Sequence, residues 1–165
     1  GAMQRTSHDC MRLTQTGCCR PFCPCQEANV LDNRNADVWG YLSLLLLLSG
    51  EERLHEATAA LDQALKYTIT NTSLLRELAS AFISIDHLST AEDLLRRSIA
   101  LDPVPYTRRL LADVLASQNA LAQAAAEYKL LLDSEDAEDW QRDDALQQYA
   151  EILRVLGREH ELAAY

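Results

Sequence analysis

The sequence predicts an all-α protein, a stack of helix hairpins that together form a solenoid. Three observations carry that expectation. Leu and Ala are abundant while Gly, Pro and aromatic residues are scarce, which favours helices. A seven-residue step from a small residue to Gly, Asp or Asn recurs as Ser43 to Gly50, Ala79 to Asp86, Ala112 to Asn119 and Ala150 to Gly157. Between these steps a second pattern recurs as Ala57–Leu61–Ala64, Ala91–Leu95–Ser98 and Ala124–Tyr128–Leu131. A period of about 34 residues marks a repeat architecture, in which each unit buries its apolar face on its neighbours.

The first helix is read from "ADVWGYLSLLLLLSGEE", which is apolar from Tyr41 to Leu48 save for Ser43. That run falls well short of the roughly 20 apolar residues a membrane crossing requires, so the sequence predicts a core helix with one apolar face left over. Leu42, Ser43 and Leu46 share one side, and the small Ser43 lets a second helix approach closely. Gly50 ends the helix, because Gly, Asn and Asp enter the left-handed conformation most cheaply. The turn that follows, "EERLHE", is two residues longer than its counterparts, and the second helix is centred on Ala57 and Leu61.

The next unit repeats the scheme with Leu78, Ala79 and Phe82, ending at Asp86. "STAE" gives Ser89 and Glu92 the spacing of a capping box, so a new helix is expected just after His87-Leu88. Pro103 and Pro105 stop that helix and set the approach to the third unit, where Leu111, Ala112 and Leu115 lead to Asn119. "DSEDAEDWQRDD", Asp133 to Asp144, stretches the next connection by about four residues relative to the period. It lacks the ordered Asp spacing and central Gly of a calcium loop. Its acids are expected to favour the start of the fourth unit's helix through the dipole, with Trp140 anchoring the connection. Tyr149, Ala150, Leu153 and Gly157 form that unit, whose second helix has barely begun at Tyr165.

Ahead of the repeats, "QEANVLDN" reads as the last turns of a preceding second helix, with Ala28 in the packing position. Residues 1–22 read as a tail or frayed half-repeat in which Gly1-Ala2-Met3 resembles the scar of tag removal. Residues 23–165 form the repeat domain, with units near 35–70, 71–104 and 105–138 and a partial unit at 139–165. The cysteines, Cys10, Cys18, Cys19, Cys23 and Cys25, all fall in the first 25 residues. An odd count in one cluster is no secreted disulfide framework and points to a reducing, intracellular setting. With His8 they supply soft ligands, yet C-C-x3-C-x-C is not a zinc-finger spacing, so free thiols or an interface are expected and no metal or cofactor.

A net charge of −10 excludes the basic face that nucleic acid requires. No secretory leader is expected, since the apolar run lies too far in and lacks a basic lead. No Gly-rich phosphate loop, H-E-x-x-H or nucleophile elbow suggests catalysis. His55, His87 and His160 lie near turns, where solvated side chains are expected.

These repeats resemble the tetratricopeptide (TPR) family. The resemblance rests on Trp39, Leu42, Ser43, Leu46, Gly50, Ala57, Leu61 and Ala64 in the first unit. In the second it rests on Leu75, Leu78, Ala79, Phe82, Ala91, Leu95, Ser98 and Pro103. Leu111, Ala112, Leu115, Asn119, Ala124 and Tyr128 carry it in the third, and Leu146, Tyr149, Ala150, Leu153 and Gly157 in the fourth. It implies a right-handed α-solenoid, non-catalytic, that binds other proteins on a concave face lined by first helices. By the family's register, Asp37, Tyr41, Leu44 and Leu48 line that face in the first unit, and Arg76, Glu77, Ser80 and Ile83 in the second. Arg109, Leu110 and Asp113 follow in the third, then Gln147, Gln148 and Glu151.

Co-chaperones of this family grip acidic chaperone tails with Lys and Asn, where this chain has Gly40 and Leu44, so that clamp is absent. The lining instead starts apolar and becomes mixed in charge, which suits an amphipathic helix or the chain's own neighbouring segment. Exposed apolar ends of such an array can also self-associate.

Two stretches, "EANVLDNRNADVWGYLSLLLL" (27–47) and "LKYTITNTSLLREL" (65–78), are similar to the C-terminal TPR region of the cilia- and flagella-associated protein 70 family. That resemblance implies a docking module in the axoneme, near dynein arms or the central apparatus. Two other readings remain beside it. One is a cytosolic TPR adaptor for a short peptide or helix; the other is a metal- or redox-responsive module built on the cysteines.

Overall fold

The computed structural model describes residues 34–165. The readings made for the cysteines, His8, the tail and residues 26–33 lie outside these. Among the described residues the chain is helical throughout. It runs α1 (Ala36–Leu48), a short 3-10 turn at Glu51–Arg53, α2 (Leu54–Lys66), α3 (Thr72–Ser84) and α4 (Leu88–Leu101). Then come α5 (Pro105–Ser117), α6 (Leu121–Leu132), α7 (Asp139–Leu156) and a closing 3-10 segment at Glu159–Ala164. Helices pair as the hairpins α1/α2, α3/α4 and α5/α6, and α7 rests on α6.

The small anchors of the three full hairpins sit where two helices cross. Ser43, Ala79, Ala112, Ala57, Ala91 and Ala124 are fully buried, and any larger side chain there would force the pair apart. Ser43 adds a hydrogen bond, its hydroxyl donating to the Ala57 carbonyl at 2.8 Å. Around the anchors Leu42, Leu46, Leu78, Phe82, Leu111, Leu115, Tyr149 and Leu153 form one continuous core with Leu61, Leu95, Tyr128 and Leu131. Each such large side chain taken out of water contributes roughly 1.5–3 kcal/mol.

The turns repeat as closely as the core does. Asp86, Asn119 and Gly157 have φ of 61°, 62° and 68°. In each case the following amide donates five residues back: His87 to the Phe82 carbonyl at 2.9 Å, Ala120 to Leu115 at 2.8 Å, and Arg158 to Leu153 at 2.8 Å. Left-handed residues close a helix in this way because they turn the next N–H back onto the last orphan carbonyls. The first turn differs: Gly50 has φ 124° and leads into the extra 3-10 turn.

Helix starts are set locally. Asn35 caps α1, its Oδ1 accepting from Asp37 N at 3.0 Å, and Asn71 caps α3 by accepting from Leu74 N at 3.1 Å. Pro105 opens α5 at its first position, where its missing N–H costs nothing.

Two expectations need correcting. The Ser89–Glu92 capping box does not form; His87 is the N-cap residue of α4, without a side-chain cap bond, and Ser89 lies inside the helix. Glu92 instead pairs with Arg96 one turn on at 2.9 Å. Trp140 does not anchor the long connection. It is 54% exposed, and its indole N–H donates to the Glu138 carboxylate. The buried Ala137 seats the connection, helped by Arg142, whose guanidinium donates to the Ser134 carbonyl. A Trp at a helix start can turn outward when a nearby carboxylate satisfies its N–H, whereas Ala137 needs only to shed water.

Candidate functional site

The first helices line one side of the array, and their chemistry changes along it. At the first joint α1 and α3 lie in direct contact, because Gly40 removes the side chain between them. A Cβ at Gly40 would meet Leu74 Cδ2 at 2.7 Å and Leu74 Cγ at 3.4 Å. This close approach brings the last turn of α1 beside the outer face of α3 and opens a groove of about 590 Å³.

Its apolar surface comes from Leu44, Leu48, Ala81 and Tyr106; its polar surface from Ser73, Arg76, Glu77 and Ser80. Leu48 is 73% exposed. The Arg76 guanidinium donates to Ser73 Oγ at 3.1 Å, and among the described residues neither Arg76 nor Glu77 forms an ion pair.

The structure thus gathers Leu44, Leu48, Arg76, Glu77 and Ser80 around one groove. Asp37 and Tyr41 lie on α1 outside its lining, and Ile83 and Leu110 are half-buried against the core. Gln147, Gln148 and Glu151 are exposed on α7, with Glu151 paired to Arg154. Tyr106, Ser73 and Ala81 belong to the groove without having been singled out. Tyr106 follows Pro105 at the start of α5, outside the repeat positions that the family's register marks.

Arg109 and Asp113 lie elsewhere, in a cluster that ties α5 to its neighbours. The Arg109 guanidinium meets Asp144 of α7 at 2.6 Å and Asp113 at 3.9 Å. The hydroxyl of Tyr128, from α6, donates to the Asp113 carboxylate. Burial pushes the Asp113 carboxyl up, partly offset by the Tyr128 hydrogen bond and the Arg109 charge. Burial, and then the hydrogen bond to Asp113, raise the Tyr128 phenol. Nearby, Arg108 meets Glu127 at 3.0 Å and joins α5 to α6. A signal for this cluster was available: Tyr128 stands where other units have Leu61 and Leu95, and a buried phenol needs a polar partner.

The end of the chain folds back on α7. The Tyr165 hydroxyl donates to Asp133 at 2.5 Å, and its ring meets Tyr149 edge-on at 6.1 Å between centroids. Burial, followed by the Asp133 hydrogen bond, pushes the Tyr165 phenol up to about 12. The Tyr149 hydroxyl donates to Glu161 at 3.4 Å.

Among the described residues no group of His, Cys, Asp and Glu could hold a metal ion, and no helix is long and apolar enough to cross a membrane. His55, His87 and His160 are exposed.

Comparison with known proteins agrees with this architecture. No curated protein sequence matches the chain. Among solved structures, a crystal structure of MamA is similar with a TM-score of 0.62 at 21% identity, covering 85% of this chain and 79% of that one. TTC0263, a thermophilic TPR protein of Thermus thermophilus, is similar with a TM-score of 0.50 at 23% identity, covering 78% of this chain and 70% of its own. At those identities the likeness is one of fold. Residues 25–151 match the family described as the cilia and flagella-associated protein 70 C-terminal domain. An all-helical TPR array whose hairpins repeat in core and turn alike, matched over most of its length, places this chain in that family.

Proposed function

We propose that the chain is a non-catalytic docking module that binds another protein through the groove between α1, α3 and α5. The observation that carries this reading is the groove itself. Leu44, Leu48 and Tyr106 leave apolar surface in water beside two charges, Arg76 and Glu77, that form no ion pair among the described residues. Such a surface suits a segment with apolar anchors and a charged flank, above all an amphipathic helix. The family match supports a place in the axoneme of a cilium or flagellum, near dynein arms or the central apparatus.

A cytosolic adaptor that takes a short peptide is the second reading, favoured by the small groove volume of about 590 Å³.

Affinity capture from separate axonemal and cytosolic extracts tests both, with Leu48→Glu as the control. Leu48 is 73% exposed, so the substitution should change stability by no more than about 0.5 kcal/mol. Axonemal structural proteins captured by the wild type and lost by the variant support the docking reading. Capture of cytosolic proteins alone favours the adaptor, and capture indifferent to Leu48→Glu removes the groove from either.

A further inference from the structure

The uncommitted charge of the groove is negative. The first helices α1, α3, α5 and α7 carry five cations, and the fold engages each of them. Arg76 donates back along α3 to Ser73 Oγ at 3.1 Å, Arg108 meets Glu127, and Arg154 meets Glu151. Arg142 donates to the Ser134 carbonyl. Arg109 is shared by two carboxylates, Asp144 at 2.6 Å and Asp113 at 3.9 Å, which leaves one negative charge over. α1 has no Lys or Arg at all. Glu77, by contrast, is exposed in the groove wall and forms neither an ion pair nor a side-chain hydrogen bond among the described residues.

These charges lie in line with the apolar anchors. Tyr106, Arg109 and Asp113 are spaced by three and four along one face of α5, so the Asp113 position stands about 10 Å along the helix from Tyr106. We infer that the groove takes a helical protein segment with a basic flank. Its apolar residues pack on Leu44, Leu48 and Tyr106, and its Lys or Arg side chains face Glu77 and the carboxylates around Arg109. The inference rests on the groove being the docking site and adds the charge of its occupant. An acidic flank would set like charges against Glu77 beside apolar walls, where water screens them less. A basic flank meets the one side chain there that has no partner and the one guanidinium that serves two carboxylates. The chain's net charge of −10 acts in the same sense at longer range, drawing a basic segment in before contact.

Phage-displayed peptides about four helical turns long, selected on the immobilised full chain, test this. Those that also bind Leu48→Ser are discarded. That variant keeps the charge of the wild type, so peptides held by general attraction to an acidic protein are removed with them. Leu48 and Glu77 are both exposed, so neither Leu48→Ser nor Glu77→Lys disturbs the described core. The peptides that remain should carry apolar residues three or four apart and an excess of Lys and Arg over Asp and Glu. Soluble copies should bind Glu77→Lys at least roughly tenfold more weakly than the wild type. Remaining peptides with a neutral or acidic flank overturn the inference while the groove stays a docking site, as do basic ones indifferent to Glu77→Lys. If no peptide depends on Leu48, the docking reading of the groove falls and this inference with it.

Discussion

Two halves of the concave side use the same structural positions for opposite ends. Three residues before the small anchor and one after it, the first two units carry Gly40 with Leu44 and Arg76 with Ser80. The third and fourth carry Arg109 with Asp113 and Gln147 with Glu151. In the first half Leu44, Arg76 and Ser80 border an open groove whose charges form no ion pair among the described residues, while Gly40 lets α1 and α3 meet beneath it. In the second, Arg109 is taken by Asp144, Asp113 by Tyr128 and Glu151 by Arg154. The backbone offers equivalent sites in both, but in the second half the charged groups at those sites are paired. A repeat array can thus confine recognition to part of its surface by letting the remaining units satisfy their own polar groups, which also ties those units together.

The comparison depends on the register, and the largest expected effect tests it. Ala91→Leu places a large side chain where α3 and α4 cross with no free surface, and should cost roughly 1–3 kcal/mol. An unchanged melting temperature would mean that the positions are not equivalent.

A contrast between the halves comes next. Arg109→Ala leaves Asp113 and Asp144 facing each other without a cation, and should cost about 1–2 kcal/mol, less than a fully buried pair because these side chains keep partial contact with water. Arg76→Ala, at the matching position of the open half, should stay within about 0.5 kcal/mol. Equal losses in denaturant midpoint would erase the distinction.

The smallest effect concerns the tail that closes the second half. The Tyr165 phenol is raised from its ordinary value to about 12 in the folded chain, so the folded state holds its proton more firmly than the unfolded one. Its contribution is complete below about pH 10 and is lost as pH rises through about 12. Exchange of the Glu159–Ala164 amides should show this loosening after correction for the intrinsic rate, and Tyr165→Phe should lack the pH dependence. A loss that begins below pH 9 would assign the closure to another group.

Much of the architecture was legible because repetition multiplies weak signals. One Gly, Asp or Asn says little, yet Gly50, Asp86, Asn119 and Gly157 at a common step mark the helix ends, and all four have positive φ. Features that occur once escaped. Thr68 has φ 64°, a conformation costly for a β-branched residue, and nothing in the local sequence marks it. Ile69 and Ala137 are buried in connections, where no periodicity points inward. The Ser89–Glu92 spacing misled because it satisfies a local rule while the turn at the left-handed Asp86 puts the N-cap two residues earlier, at His87. Of the candidate site, Leu44, Leu48, Arg76, Glu77 and Ser80 followed from the register, whereas Ser73 and Ala81 of α3 did not. Tyr106 did not, since its place depends on where Pro105 starts α5. The cluster around Arg109 depends on a partner in α7, thirty-five residues away.

The seam between first helices also changes character along the array. At the first joint α1 and α3 touch directly at Gly40, backbone close to side chain, with no slack. At the second, α5 rests chiefly on α4, so α3 and α5 are joined through an intermediary. The two joints therefore hold neighbouring units through different faces, the first by first helix on first helix and the second by second helix on first helix. Because Tyr106 belongs to α5 and Leu48 to α1, the groove spans both joints, and its width is set by the two together.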